Sequence, residues 1–97
     1  MAIRKKRGVK LPNSPFMAPA LQIADYFGDV VTSGREGYRG DGVHTPNSLH
    51  YDGLAIDIRP YWDDVQGQIM DYLNVGYNVL NEGNHLHVSY DPEGLRL

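Results

Sequence analysis

From Leu54 to Arg59 the chain alternates strictly, with Leu54, Ile56 and Ile58 on one side and Ala55, Asp57 and Arg59 on the other. That is the pattern of a strand with one face in a core. His85 to Tyr90 repeats it, Leu86 and Val88 lying opposite His85, His87 and Ser89. Asp29 to Ser33 and Tyr77 to Leu80 read as two further strands, the latter joined to the last by the hairpin-type turn Asn81-Glu82-Gly83-Asn84. Helical spacing occurs over about 17–27, where Leu21, Ala24 and Phe27, or Ile23 and Phe27, share a face, Pro19 lies in the first turn and Gly28 is a stop. It recurs over about 62–74 through Val65, Ile69, Tyr72 and Leu73, after Pro60 closes the preceding strand and before Gly76. Residues 34–48 hold four glycines, a proline and two arginines without periodicity, a loop long enough to suggest function. The elements predict an α+β fold: a small antiparallel sheet with two helices packed on its aliphatic face and the opposite face forming an open cleft.

Length and charge refine this picture. At 97 residues the chain suits one small domain with a limited core. It has no cysteine, which excludes thiolate metal sites, iron–sulfur clusters and a cysteine nucleophile. The net charge of −3 is unevenly laid out, because five of the nine basic residues (Arg4, Lys5, Lys6, Arg7 and Lys10) fall in the first ten positions. With Pro12, Asn13, Ser14 and Pro15 they make 1–15 a basic N-terminal arm ahead of a domain at 16–97. Such an arm is either a solvated tail or a grip on a polyanion such as nucleic acid or cell-wall polymer. No apolar run approaches the ~18 residues of a transmembrane span. No signal peptide is indicated, so the chain is expected to be cytoplasmic at synthesis.

The two alternating strands each carry aliphatic residues on one face and metal-capable residues on the other: Asp57 on one, His85 and His87 on the other. His50 lies near these strands and His44 just upstream. Imidazole and carboxylate suit zinc, and a catalytic zinc has three protein ligands and a water.

Ser48-Leu-His-Tyr-Asp-Gly-Leu-Ala-Ile-Asp-Ile resembles the S-x-H-x-x-G-x-A-x-D block of the D-Ala-D-Ala metallopeptidases. Asn84-His-Leu-His-Val-Ser-Tyr resembles the H-x-H strand of the wider superfamily, which includes lysostaphin-type enzymes and the hedgehog signalling domain. The likeness extends over roughly residues 29–91. It implies one Zn2+ per chain, held by His50, Asp57 and His87, with His85 lining the site to stabilise the oxyanion or orient the water. Small residues at Gly53 and Ala55 then allow a sharp turn and an open cleft. Glu82 is the candidate general base. Two registers are open: Glu82 stands three residues before His85, the E-x-x-H spacing of the carboxypeptidases, and five before His87. The H-x-H pattern of the superfamily favours His87 as the ligand.

Carboxypeptidase relatives carry an S-G-x-R-like segment whose arginine binds substrate. Here Arg35 or Arg39 could serve, a guanidinium being suited to bidentate capture of a carboxylate. His44 matches a cleft-lining histidine of the hedgehog domain. Trp62, Tyr38 and Tyr51 could build a substrate wall or simply pack. The resemblance thus implies a monomeric metallopeptidase acting on peptidoglycan stem peptides, a minimal lytic or wall-remodelling enzyme of the kind a phage encodes. Its rivals are a zinc-containing binding or signalling domain without turnover and a zinc that only staples a small fold.

Overall fold

A computed structural model describes residues 3–59, 67, 69, 71, 73 and 76–92. Five strands form one sheet: β1 (Arg4–Lys5), β2 (Val30–Ser33), β3 (Ala55–Arg59), β4 (Tyr77–Asn81) and β5 (Leu86–Tyr90), in the order β1-β2-β3-β5-β4. One helix, α1 (Ala18–Phe27), lies between β1 and β2. Pro19 falls in its first turn, where a missing N–H costs nothing, and Gly28 ends it in the left-handed conformation.

The expected antiparallel sheet is in fact mixed. β2, β3, β5 and β4 pair antiparallel, but β1 joins β2 in parallel. The reason is connectivity: a helix-containing crossover between neighbouring strands brings the second back in the same direction. The segment read as a basic arm is therefore part of the sheet edge. Lys6 N–H donates to Val31 O at 2.8 Å, Arg35 N–H donates to Lys10 O at 2.7 Å, and Val9 is buried. Its basic side chains stay exposed, as edge strands favour.

The core is one cluster on one face of the sheet. Ile56 and Ile58 of β3, Leu86 and Val88 of β5 and Val31 of β2 meet Ala20, Leu21 and Ala24 of α1, with Met17 and Ile69 completing it. The stripe on α1 runs through Ala20, Leu21 and Ala24, with Ile23 packing beside it, while Phe27 is only partly buried. Most of the second helix expected over about 62–74, including Trp62, Val65 and Tyr72, lies outside the described residues. Within that stretch Gly67, Ile69 and Asp71 are helical and Leu73 N–H donates to Ile69 O at 3.0 Å. An aromatic cluster ties the start of α1 to the far strands: Phe16 stacks on Tyr90 with centroids 4.6 Å apart, and Tyr77 Oη donates to Phe16 O.

Ile56 has no solvent exposure and sits at the centre of the cluster. Ile56→Ala should cost about 2–5 kcal/mol in urea unfolding, the transfer loss plus a cavity that packed neighbours cannot close. A loss below about 1 kcal/mol would contradict this placement.

Candidate metal centre

The β3–β5 register sets Asp57 directly opposite His87. Both project from the sheet face away from α1, because Ile56, Ile58, Leu86 and Val88 take the core face. His50 reaches the same spot from a short 3-10 turn at Leu49–Asp52, which Ser48 caps by accepting the His50 N–H through its Oγ at 3.2 Å. Gly53 closes that turn at φ 70°, a conformation that lets the chain reverse into β3 within one residue. Buried Leu49 anchors the turn.

Three donor atoms then converge. His50 Nε2 is 3.2 Å and His87 Nδ1 2.9 Å from the same oxygen, Asp57 Oδ1. All three residues are buried, and their ligand atoms lie within 4.8 Å of one another. Ligand atoms on a tetrahedral ion, each about 2.0–2.1 Å from it, are about 3.3 Å apart, so these separations are compatible with a shared ion.

Hydrogen bonding sharpens that fit. Gly34 O lies 2.9 Å from His50 Nδ1, and a carbonyl only accepts, so Nδ1 carries the proton. A neutral His50 therefore turns an Nε2 lone pair toward a carboxylate oxygen. That contact is repulsive unless a second proton or a cation lies between the two. Orientation of one ring nitrogen by a backbone carbonyl, leaving the other for a metal, is the usual outer-shell arrangement. His87 Nε2 is buried with no hydrogen-bond partner among the described residues, so His87 addresses the site through Nδ1.

In the protein alone a proton does part of this work. Burial opposes charge on His50, but the Asp57 hydrogen bond and carboxylate outweigh it and raise its pKa above 6.5. Asp57 is likewise buried, yet its bonds from His50 and His87 hold it well below the usual carboxylate range. Burial, followed by the neighbouring His50 charge, lowers the pKa of His44, whose ring is stacked 4.1 Å from that of His50.

The cleft above this group has a volume of about 560 Å³ and is lined in part by His44, Ser48, Glu82, His85, Val43 and Leu80. Glu82, on the turn between β4 and β5, puts Oε1 3.5 Å from His85 Nε2 and 3.8 Å from His87 Nδ1. His85 Nε2 lies 3.7 Å from Asp57 Oδ2. His50, Asp57, His87, Glu82, His85 and His44 are thus brought together, whereas the two arginines are not among the residues lining the cleft. Arg35 Nε donates to Leu11 O at 2.9 Å. Arg39 pairs with Asp52 at 2.8 Å, donates to Pro46 O and lies over the Tyr51 ring. Tyr51 fastens the glycine-rich loop instead of forming a wall: its hydroxyl donates to Asp41 and accepts the His44 N–H. Tyr38 is exposed. Ala55 has no solvent exposure and is not among the residues lining the cleft.

Sequence reasoning missed the support beneath His50. A bulge in β2 sets Ser33 opposite Asp57 and delivers Gly34 O to His50. A Cβ on Gly34 would stand 2.1 Å from Lys10 O, so only glycine permits the approach of these two segments. Glu36 clamps the same loop, accepting from Gly34 N–H at 2.9 Å, Lys10 N–H at 3.1 Å and Ser33 Oγ–H at 2.8 Å. Burial raises its pKa, but these bonds prevail and lower it. Only an acidic residue in a glycine-rich loop could have signalled this in the sequence.

Compared with protein-family models, curated proteins and solved structures, the chain matches none.

Two outcomes follow from this geometry. Glu36→Ala, which releases the loop carrying Gly34 O, should weaken zinc binding about 10- to 100-fold in a chelator-competition titration. An unchanged affinity would remove Glu36 from the supporting shell. The second concerns pH. In the metal-free protein the His50 contribution to stability is complete below 6.5 and is lost as pH rises through its raised folded value. The Asp57 contribution is present above 3.8 and is lost as pH falls through its lowered folded value. Melting temperature without metal should therefore decline as pH rises above 6.5. Saturating zinc should reverse that decline, since the neutral imidazole is the ligand form. A melting curve with the same pH dependence in His50→Gln would contradict this.

Proposed function

We propose that the chain is a zinc metallopeptidase hydrolysing stem-peptide bonds of peptidoglycan. The observation that carries the reading is a carboxylate, Glu82 Oε1, standing 3.8 Å from His87 Nδ1 beside a buried group of two imidazoles and one carboxylate. That donor set suits zinc, and three protein ligands is the number of catalytic zinc sites, where structural ones use four. The peptidoglycan substrate rests on the resemblance of the Ser48–Ile58 and Asn84–Tyr90 blocks to D-Ala-D-Ala metallopeptidases. A cleft of about 560 Å³ is adequate for a short peptide.

Zinc, when bound, lowers the pKa of water to about 7 and polarises a carbonyl. Glu82 Oε1 accepts the proton of the attacking water and passes it to the departing amine. The Nδ1–H of His85 is held by Asn84 Oδ1 at 2.5 Å, which turns Nε2 inward. In its protonated form His85 donates from Nε2 to the carbonyl oxygen as negative charge develops there. His44, with its ring parallel to that of His50, walls the cleft.

No arginine or lysine is among the described residues lining the cleft, and Arg35 and Arg39 are engaged elsewhere. An endopeptidase needs no grip on a terminal carboxylate, so this arrangement favours cleavage within a stem peptide or cross-link over removal of a terminal D-Ala.

Zinc-loaded protein incubated with purified peptidoglycan should release fragments identifiable by mass. Glu82→Gln should lower that rate about 100- to 10,000-fold with zinc retained, and His85→Ala about 100- to 1,000-fold. Zinc binding with no cleavage of any wall type would overturn the peptidase reading in favour of a binding domain without turnover.

A further inference from the structure

Asp57 offers two oxygens, and they serve different neighbours. Oδ1 takes His50 Nε2 and His87 Nδ1, while Oδ2 faces His85 Nε2 at 3.7 Å. His85 Nε2 is in turn 3.5 Å from Glu82 Oε1. Asp57, Glu82 and His85 thus form a second group whose ligand atoms all lie within 4.8 Å of one another, separate from the first except for the shared carboxylate. We infer that the cleft takes a second divalent cation, held by Asp57 Oδ2, Glu82 Oε1 and His85 Nε2, which withdraws Glu82 and His85 from catalysis.

Three features support this site. Asn84 Oδ1 accepts from His85 Nδ1, so neutral His85 presents its lone pair at Nε2, toward the two carboxylates. One imidazole and two carboxylates suit a borderline ion such as zinc. Finally, a carboxylate bridging two ions is the arrangement that two-metal sites use.

The same geometry ranks the two sites. The His50 and His87 side chains are 2% and 7% exposed, whereas those of His85 and Glu82 are 27% and 48% exposed. Donors on an exposed turn must be ordered when the ion binds, and the incoming dication is repelled by the one already present. The second ion therefore binds more weakly than the first. The consequence rests on the function proposed above: Glu82 Oε1 cannot accept a proton, nor His85 Nε2 carry one, while both are ligands. Cleavage should rise with the first equivalent of zinc and fall as the second site fills.

Metal-free protein is dialysed against rising zinc and the bound metal counted by atomic emission. The wild type should bind two ions per chain in two steps. Glu82→Gln and His85→Ala, both at surface positions, should each lose the weaker step and keep the tighter one. One ion per chain at saturation would overturn the inference while leaving the zinc reading intact, as would a weaker step that both variants preserve. A tighter step absent from the wild type, or unchanged in His50→Ala, would overturn the zinc reading itself.

Discussion

A carboxylate is buried in the middle of β3, and most of what surrounds it follows from that fact. Asp57 is 8% exposed, flanked along the strand by Ile56 and Ile58, which have essentially no exposure. An unpaired buried carboxylate would protonate or unfold its surroundings. Here a single oxygen collects two imidazole nitrogens, so the charge is met either by a shared proton or by a cation. The three side chains are therefore a stabilising contact whose ligand atoms are also spaced to hold a metal ion. The same atoms serve either role, so a metal ion would compete with protons for them.

Three levels of structure bring those atoms together. Strand alternation puts Asp57 and His87 on the face opposite the core, and antiparallel register makes them neighbours. A one-turn element ending at Gly53 swings His50 across. Beneath it, the β2 bulge, Gly34 and the Glu36 clamp hold the carbonyl that decides which nitrogen of His50 is free. The N-terminal segment takes part in this support, since Lys10 contributes both a backbone N–H to Glu36 and the carbonyl that accepts Arg35 N–H.

Much of this was legible in the sequence, and what was not has a physical reason. Period-two patterning located β3 and β5, and with them Asp57 and His87. Helical spacing and Gly28 located α1. β1 was not visible because a two-residue, wholly basic edge strand has no alternation to read, and its pairing comes from backbone bonds to a distant segment. The mixed sheet follows from that same omission. Gly34 O was invisible for a related reason: a carbonyl leaves no mark on residue type. The exposed arginines were ambiguous by spacing alone, and their partners Leu11 O and Asp52 come from parts of the chain that spacing does not connect. His85 and His87 differ by one pleat repeat, so the pattern alone could not choose between them. The register and burial do separate them, with His87 buried against Asp57 Oδ1 and His85 on the rim near Oδ2.

His50 Nε2, Asp57 Oδ1 and His87 Nδ1 are proposed as the ligands of one ion. Crystals grown with one equivalent of zinc, measured on both sides of the zinc absorption edge, test it most directly. One anomalous peak is expected about 2.0–2.2 Å from each of those three atoms. A peak at His85 with His50 and His87 unliganded, or none in the cleft with zinc in the drop, would contradict it.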